Sequence, residues 1–279
     1  MLDYNEIMPK IHYEQIPLKN LTAGQDYQRK VSISHVRRAV AHFNPYQINP
    51  VKVSRRDGIN YVVNGQHTIE ILAEVFGTRE IPVWCMIYDD LDYTKEADLF
   101  ANQQKYVKSL TPYEIFMANI EAGNDEQIMI KDIVEKYGLS LSSTKCPGCI
   151  CAIATLEEIF NKYGYHNLDD TIRLCVATWE GEENSFSSNI LKGLSRLIAT
   201  YKGEFDEAIF KEKLGRCSVK EISRMAVDRR VGSLGYAEAL LILYNKKLRN
   251  PIDMTRLYKP RPSGNFRENL TLFNEEVKS

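Results

Sequence analysis

The sequence predicts an α+β protein in which a small mixed-sheet domain precedes an all-helical one. Three observations carry this reading. β-rich runs alternate with helical patterns over roughly the first hundred residues, an Asp-Gly pair joins two of those runs, and from Ser109 onward every apolar pattern has helical spacing. The expected boundaries are an α+β domain over 1–107, a helical domain over 108–257 and a mobile tail over 258–279.

Each element has a local cause. Ile11 to Ile16 alternates apolar and polar residues until Pro17 stops the strand. Ser34 is placed to cap a helix that puts Val36, Val40 and Phe43 on one face, and Asn44-Pro45 ends it. Val51–Ser54 and Asn60–Val63 flank Asp57-Gly58, a strong hairpin signal. Asn64-Gly65 turns the chain into a helix with Ile69, Leu72, Ala73 and Phe76 on one side, closed by Gly77. Ile81 to Tyr88 is a nearly continuous apolar run and predicts a buried strand that includes Trp84 and Cys85. Asp92 opens a helix to about Gln104. Thr111-Pro112 followed by Glu114 starts the helical domain, with further helices expected near 127–137, 144–162, 168–180, 187–201, 204–214, 218–227 and 234–248. Trp179 reads as core.

Composition narrows the class. The 279 residues are 44% hydrophobic, 10% aromatic and 26% charged, which excludes a largely disordered chain. No apolar run approaches the ~18–20 residues of a membrane span. The opening MLDYNEIMPK lacks a signal-type apolar stretch, so a cytoplasmic protein with six reduced cysteines is expected. A net charge of −1 excludes a uniformly basic coat. The charge is nevertheless uneven, net 0 over residues 1–110, −7 over 111–215 and +7 over 216–261. The basic segment either meets an anionic partner or packs on the acidic segment beside it.

The most informative stretch is Tyr61-Val62-Val63-Asn64-Gly65-Gln66-His67-Thr68-Ile69-Glu70, a strand, a glycine turn and a polar helix start. The first N–H groups of such a helix point outward and favour an anion. Gly65 admits a phosphate, Gln66, His67 and Thr68 supply donors, and a protonated His67 adds charge. The alternative is an ordinary turn, with Thr68 as cap and His67 in solvent.

An ordered set of motifs resembles the ParB/sulfiredoxin-like N-terminal domain family over about residues 10–106: Asp26-Tyr27-Gln28-Arg29, a helix with His35-Val36-Arg37-Arg38, the Asp57-Gly58 hairpin, and Val63-Asn64-Gly65-Gln66-His67. Asn102-Gln103-Gln104-Lys105 and Leu110-Thr111-Pro112-Tyr113-Glu114 are similar to the segment that follows in ParB proteins. The resemblance implies a phosphate or nucleotide pocket, for CTP or ATP, built from Gln28, Arg29, Gly65, Gln66, His67, Thr68 and Asn102. It implies a DNA-associated protein of plasmid, phage or chromosome-linked type, and it admits a homodimer. The departures argue against hydrolysis. Gln66-His67-Thr68 stands where partition proteins carry Glu-Arg-Arg, and Ala101 stands where they carry the acid that helps hold Mg²⁺. Position 66 is also not the cysteine of sulfiredoxins. Two other readings of the same pocket stay open: a nucleotide-dependent phosphotransferase or nuclease, with Asp26 and Glu70 as the nearby acids, and a protein–protein adaptor whose pocket is inactive.

For DNA, a helix-turn-helix is expected near 127–160, with Lys145 at the start of its second helix. Arg224, Arg229, Arg230, Lys246, Lys247, Arg249 and Arg256 offer phosphate contacts without base reading. Cys146-Pro147-Gly148-Cys149-Ile150-Cys151 lacks a second ligand pair for zinc, and no metal site is expected. Buried small hydrophobes are the favoured reading of these cysteines over redox chemistry.

Overall fold

The computed structural model describes residues 8–103 and 105–258. The tail expected to be mobile lies, beyond Tyr258, outside them. The chain divides after Lys108 into two compact units.

The first unit is a five-stranded mixed sheet, β1 (Ile11–Pro17), β2 (Leu21–Thr22), β3 (Val51–Arg56), β4 (Ile59–Asn64) and β5 (Pro82–Tyr88), in the order β1-β5-β3-β4-β2. β3 and β4 form the expected hairpin, with Asp57 at φ 53° and Gly58 at φ 75°, the left-handed pair that a tight two-residue turn needs. Helices α1 (Ile33–Ala41) and α2 (Gln66–Phe76) follow β2 and β4, and α3 (Tyr93–Asn102) follows β5. The cap of α1 is Ser32 rather than Ser34: its hydroxyl accepts the His35 N–H. Asp92 caps α3 as expected, accepting from Lys95 at 2.9 Å. Val51, Val53, Ile69, Leu72, Cys85 and Ile87 belong to one buried cluster.

β5 is not buried on both faces. Val83, Cys85 and Ile87 point into the core, whereas Trp84 is 54% exposed. Helix α3 lies on β4, so the outward face of β5 and β1 carries Trp84 and a half-exposed Tyr13. The period-two alternation escapes notice because the outward residues Pro82, Trp84 and Met86 are themselves apolar. Phe76, on the same side of α2 as Ile69 and Leu72, is exposed and lines an apolar cavity of about 540 Å³ with Phe43, Ile48, Leu72 and Trp84.

The second unit is helical: α4 (Pro112–Glu121), α5 (Asp125–Lys136), α6 (Ile153–Tyr163), α7 (Tyr165–Trp179), α8 (Ser188–Thr200), α9 (Glu207–Leu214), α10 (Val219–Arg229) and α11 (Ser233–Asn245). Thr111/Glu114 and Ser218/Glu221 close capping boxes at α4 and α10. α11 is apolar all round and packs on α8, α9 and α10, as a helix at the centre of a bundle must. A Cβ at Gly193 of α8 would stand 2.8 Å from the Tyr236 Cβ, so glycine there lets α8 and α11 pack closely. Trp179 is buried. Among the described residues no helix is long and apolar enough to cross a membrane.

The helix-turn-helix expected near 127–160 is not formed. After α5 the chain makes two short parallel strands, β6 (Ser140–Leu141) and β7 (Cys149–Ile150), and α6 begins only at Ile153. Pro147 has no N–H to give a helix and Gly148 sits at φ 73°. Lys145 therefore lies in a loop, not at the start of a recognition helix. The same turn joins Cys146 to Cys149 in a disulfide, against the expectation of six reduced thiols; Cys85, Cys151, Cys175 and Cys217 are free.

Candidate functional site

The turn after β4 is built as its sequence requires. Gly65 has φ 112°, and a Cβ there would press on the Val51 side chain at 3.2 Å, so only glycine fits. The first helical N–H to find its acceptor is that of Ile69, bonded to the Gly65 carbonyl at 3.0 Å. No side chain caps α2, so Thr68 is not a cap. The N–H groups of Gln66, His67 and Thr68 are the orphan donors of the first turn, at the positive end of the helix dipole.

The loop before α1 is tied to this turn by side chains. The Gln28 carbonyl oxygen accepts from the N–H groups of Gly24 at 2.9 Å and Gln25 at 3.1 Å, and from the Gln66 amide. The Gln28 amide donates to the carbonyls of Val62 and Val63. Gln28, expected in the pocket, and Gln66, expected to offer its side chain to phosphate, spend those amides on the protein and hold the loop in place.

Tyr27 anchors the same loop to α3. Its hydroxyl donates to Glu96 at 3.3 Å and its ring packs on Tyr93 and Phe100. Glu96 is wholly buried and is neutralised by Arg56, whose Nε donates at 3.0 Å while its guanidinium lies 4.3 Å from the centre of the Tyr61 ring. Burial, then the Glu96 charge, pushes the Tyr27 phenol well above its usual range. This anchor has no motif in the sequence, because its members are far apart in the chain and an acid four residues into a helix reads as surface.

Arg29, two residues after Tyr27, is exposed beside His67. His67 is not a charged donor. Its Nε2 accepts the Ser32 N–H at 3.1 Å, and its ring meets His35 edge-to-face at 5.0 Å. Burial, then the neighbouring His35 and Arg29, hold its pKa below the ordinary value. The ring thus couples the N-cap of α1 to the N-terminus of α2 in its neutral form. The unfolded ring takes its proton near pH 6.5 and the folded ring only at lower pH, so this contribution is complete above about pH 6.5 and is lost as pH falls through the folded value. The urea midpoint of the wild type should therefore exceed that of His67→Phe by more at about pH 7.5 than at about pH 5.5. An equal gap at both values would mean that Nε2 is not the acceptor.

Asn102, expected in the pocket, turns back on its own helix. Its amide donates back to Asp98 at 2.9 Å. The next residue does the work instead, the Gln103 carbonyl oxygen accepting from the Asn64 amide at 3.2 Å.

Residues 27–56 contain seven Lys or Arg and no Asp or Glu. Arg55 and Arg56 are paired with Glu14 and Glu96. Arg29, Lys30, Arg37 and Arg38 are exposed and have no ion pair among the described residues. They run from the loop at the turn along α1, where His35 and His42 are also exposed. In the second unit, Arg229 and Arg230 point at the buried carboxylate of Glu238, at 3.1 and 3.6 Å, which gives both a structural partner. Arg256 pairs with Glu204 at 2.6 Å. Lys246, Lys247 and Arg249 are exposed in the turn after α11. Of the acids near the pocket, Glu70 pairs with Arg79 and Asp26 is exposed.

No curated protein matches this sequence. Among solved structures the chain is similar to the C-terminally truncated chromosome-partitioning protein ParB from Caulobacter crescentus, complexed with CTP-gamma-S, at 11% identity and a TM-score of 0.35, over 82% of this chain and 99% of that one. One family model matches residues 23–252 and so takes in most of both units: the chain belongs to the family of unknown function DUF6551.

Proposed function

We propose that the protein is DNA-associated and that its first unit binds phosphate at the turn after β4. The observation that carries this reading is the placement of Arg29 beside the uncapped start of α2, with Lys30, Arg37 and Arg38 continuing the exposed cations along α1 without ion pairs among the described residues. Arginine forks and helix N-termini are the two protein devices best matched to phosphate. The spread of the cations along α1 suits a polymer of phosphates better than one small anion. Lys246, Lys247 and Arg249 offer the second unit's share of such contacts. A nucleotide of the CTP or ATP class is the small ligand that would fit the turn itself. Binding is favoured over catalysis because Glu70, one of the two acids near the turn, is engaged by Arg79.

The test is the salt dependence of binding to a labelled mixed-sequence duplex, read by fluorescence anisotropy. Affinity should fall steeply as salt rises, and the Arg37→Ala/Arg38→Ala variant should flatten the log–log slope by about 2, one counterion per phosphate contact. The loss should be the same for unrelated duplex sequences. No detectable binding at low salt would overturn the proposal.

A further inference from the structure

We infer that Cys146 and Cys149 form a redox-active thiol–disulfide site that exchanges electrons with a dithiol. Cys146-Pro147-Gly148-Cys149 is a turn in its own right: the Cys149 N–H donates to the Cys146 carbonyl at 3.1 Å, Pro147 presets the first corner, and Gly148 at φ 73° takes the second. The turn alone holds the two Cα atoms 5.2 Å apart, inside the range a disulfide spans. Breaking the bond therefore leaves the sulfurs facing each other, ready to rejoin. A cross-link over so few residues removes little entropy from the unfolded chain, so stabilisation is a poor reason for it.

The surroundings suit exchange. Both cysteines are half-buried rather than sealed. Cys149 lines a cavity of about 280 Å³ together with Lys145, Ser187 and Ser188, the last two at the N-terminus of α8. β6 and β7 pair Ser140 with Cys149, and the Ser140 hydroxyl lies 3.4 Å from the Cys149 sulfur. A disulfide sulfur has no proton, so serine is the donor, and the same bond stabilises Cys149 as a leaving thiolate.

The step follows. One thiolate of an incoming dithiol attacks the Cys146 sulfur, the Cys146–Cys149 bond breaks, and Cys149 departs as thiolate. The second thiol of the reductant then attacks the mixed disulfide and releases Cys146. Two electrons and two protons pass to the protein, which gains two thiols, and the dithiol becomes a disulfide.

The full-length chain, oxidised in air, is alkylated before and after a native-state titration with reduced and oxidised dithiothreitol, and read by mass spectrometry. Cys146 and Cys149 should resist alkylation until reduction and then react together in a single two-electron transition. Far-UV circular dichroism and the melting temperature should hold. Ser140→Ala should slow the reduction several-fold, and Cys151→Ser should leave the transition in place. Labelling of Cys146 and Cys149 without reductant would overturn the inference, as would a bond that yields only when the chain unfolds or a transition that disappears in Cys151→Ser.

Discussion

Gly235→Ala is expected to lower the stability of the helical unit by roughly 3 kcal/mol, the upper end of overpacking penalties. Gly235 opens α11 against the end of α10. A Cβ there would stand 2.1 Å from the Arg230 carbonyl oxygen and 2.6 Å from that of Ala226. Both obstacles are backbone, so no side-chain rotation relieves them, and α10 must move away. That displacement also disturbs Arg229 and Arg230, which neutralise the buried Glu238 carboxylate. A buried acid that loses its counter-charges is among the costlier defects a fold can carry. The melting temperature should fall by about 6–12 °C for a unit of this size. An unchanged melting temperature would show that α10 and α11 are not so close.

Arg29→Ala should weaken binding of a triphosphate by roughly tenfold to a hundredfold, the scale of a hydrogen bond to a charged group. Its side chain is exposed in the free protein, so solvent screening places the loss toward the lower end. The loop that presents Arg29 is held without it, by Gln28 on β4 and by Tyr27 on Glu96, so the variant should keep the wild-type melting temperature. Lysine at 29 should restore only part of the affinity, because an ammonium cannot make the planar two-pronged contact. The measurement is isothermal titration with inorganic triphosphate, wild type against both variants.

Signals that act within a few residues were legible in the sequence. Asp57-Gly58 dictates its own turn, Asp92 and Thr111 cap the helices that follow them, and Gly65 marks the turn at the candidate site. What depends on distant parts of the chain was not. Whether Trp84 is core depends on which faces of the sheet the helices cover. The pairing of Glu96 with Arg56 and Tyr27 joins three segments with no shared pattern. His67 looks like a donor in the sequence because its acceptor role depends on the Ser32 N–H, 35 positions earlier in the chain. Asn102 and Gln103 are neighbours on the helix terminus, and only the position of Asn64 decides which of them reaches the turn. The residues after α5 have the helix–glycine–helix grammar of a DNA-reading motif, but Pro147 and Gly148 convert it into a strand pair and a cysteine turn.

The most direct test of phosphate binding at the turn follows the backbone amide resonances of Gln66, His67 and Thr68 during titration with inorganic triphosphate. The geometry predicts large, saturable shifts of these three amides, because their N–H groups are the orphan donors of α2, and loss of those shifts in Arg29→Ala. Amides at 66–68 that stay fixed while others move, or shifts that persist unchanged without Arg29, would contradict the account.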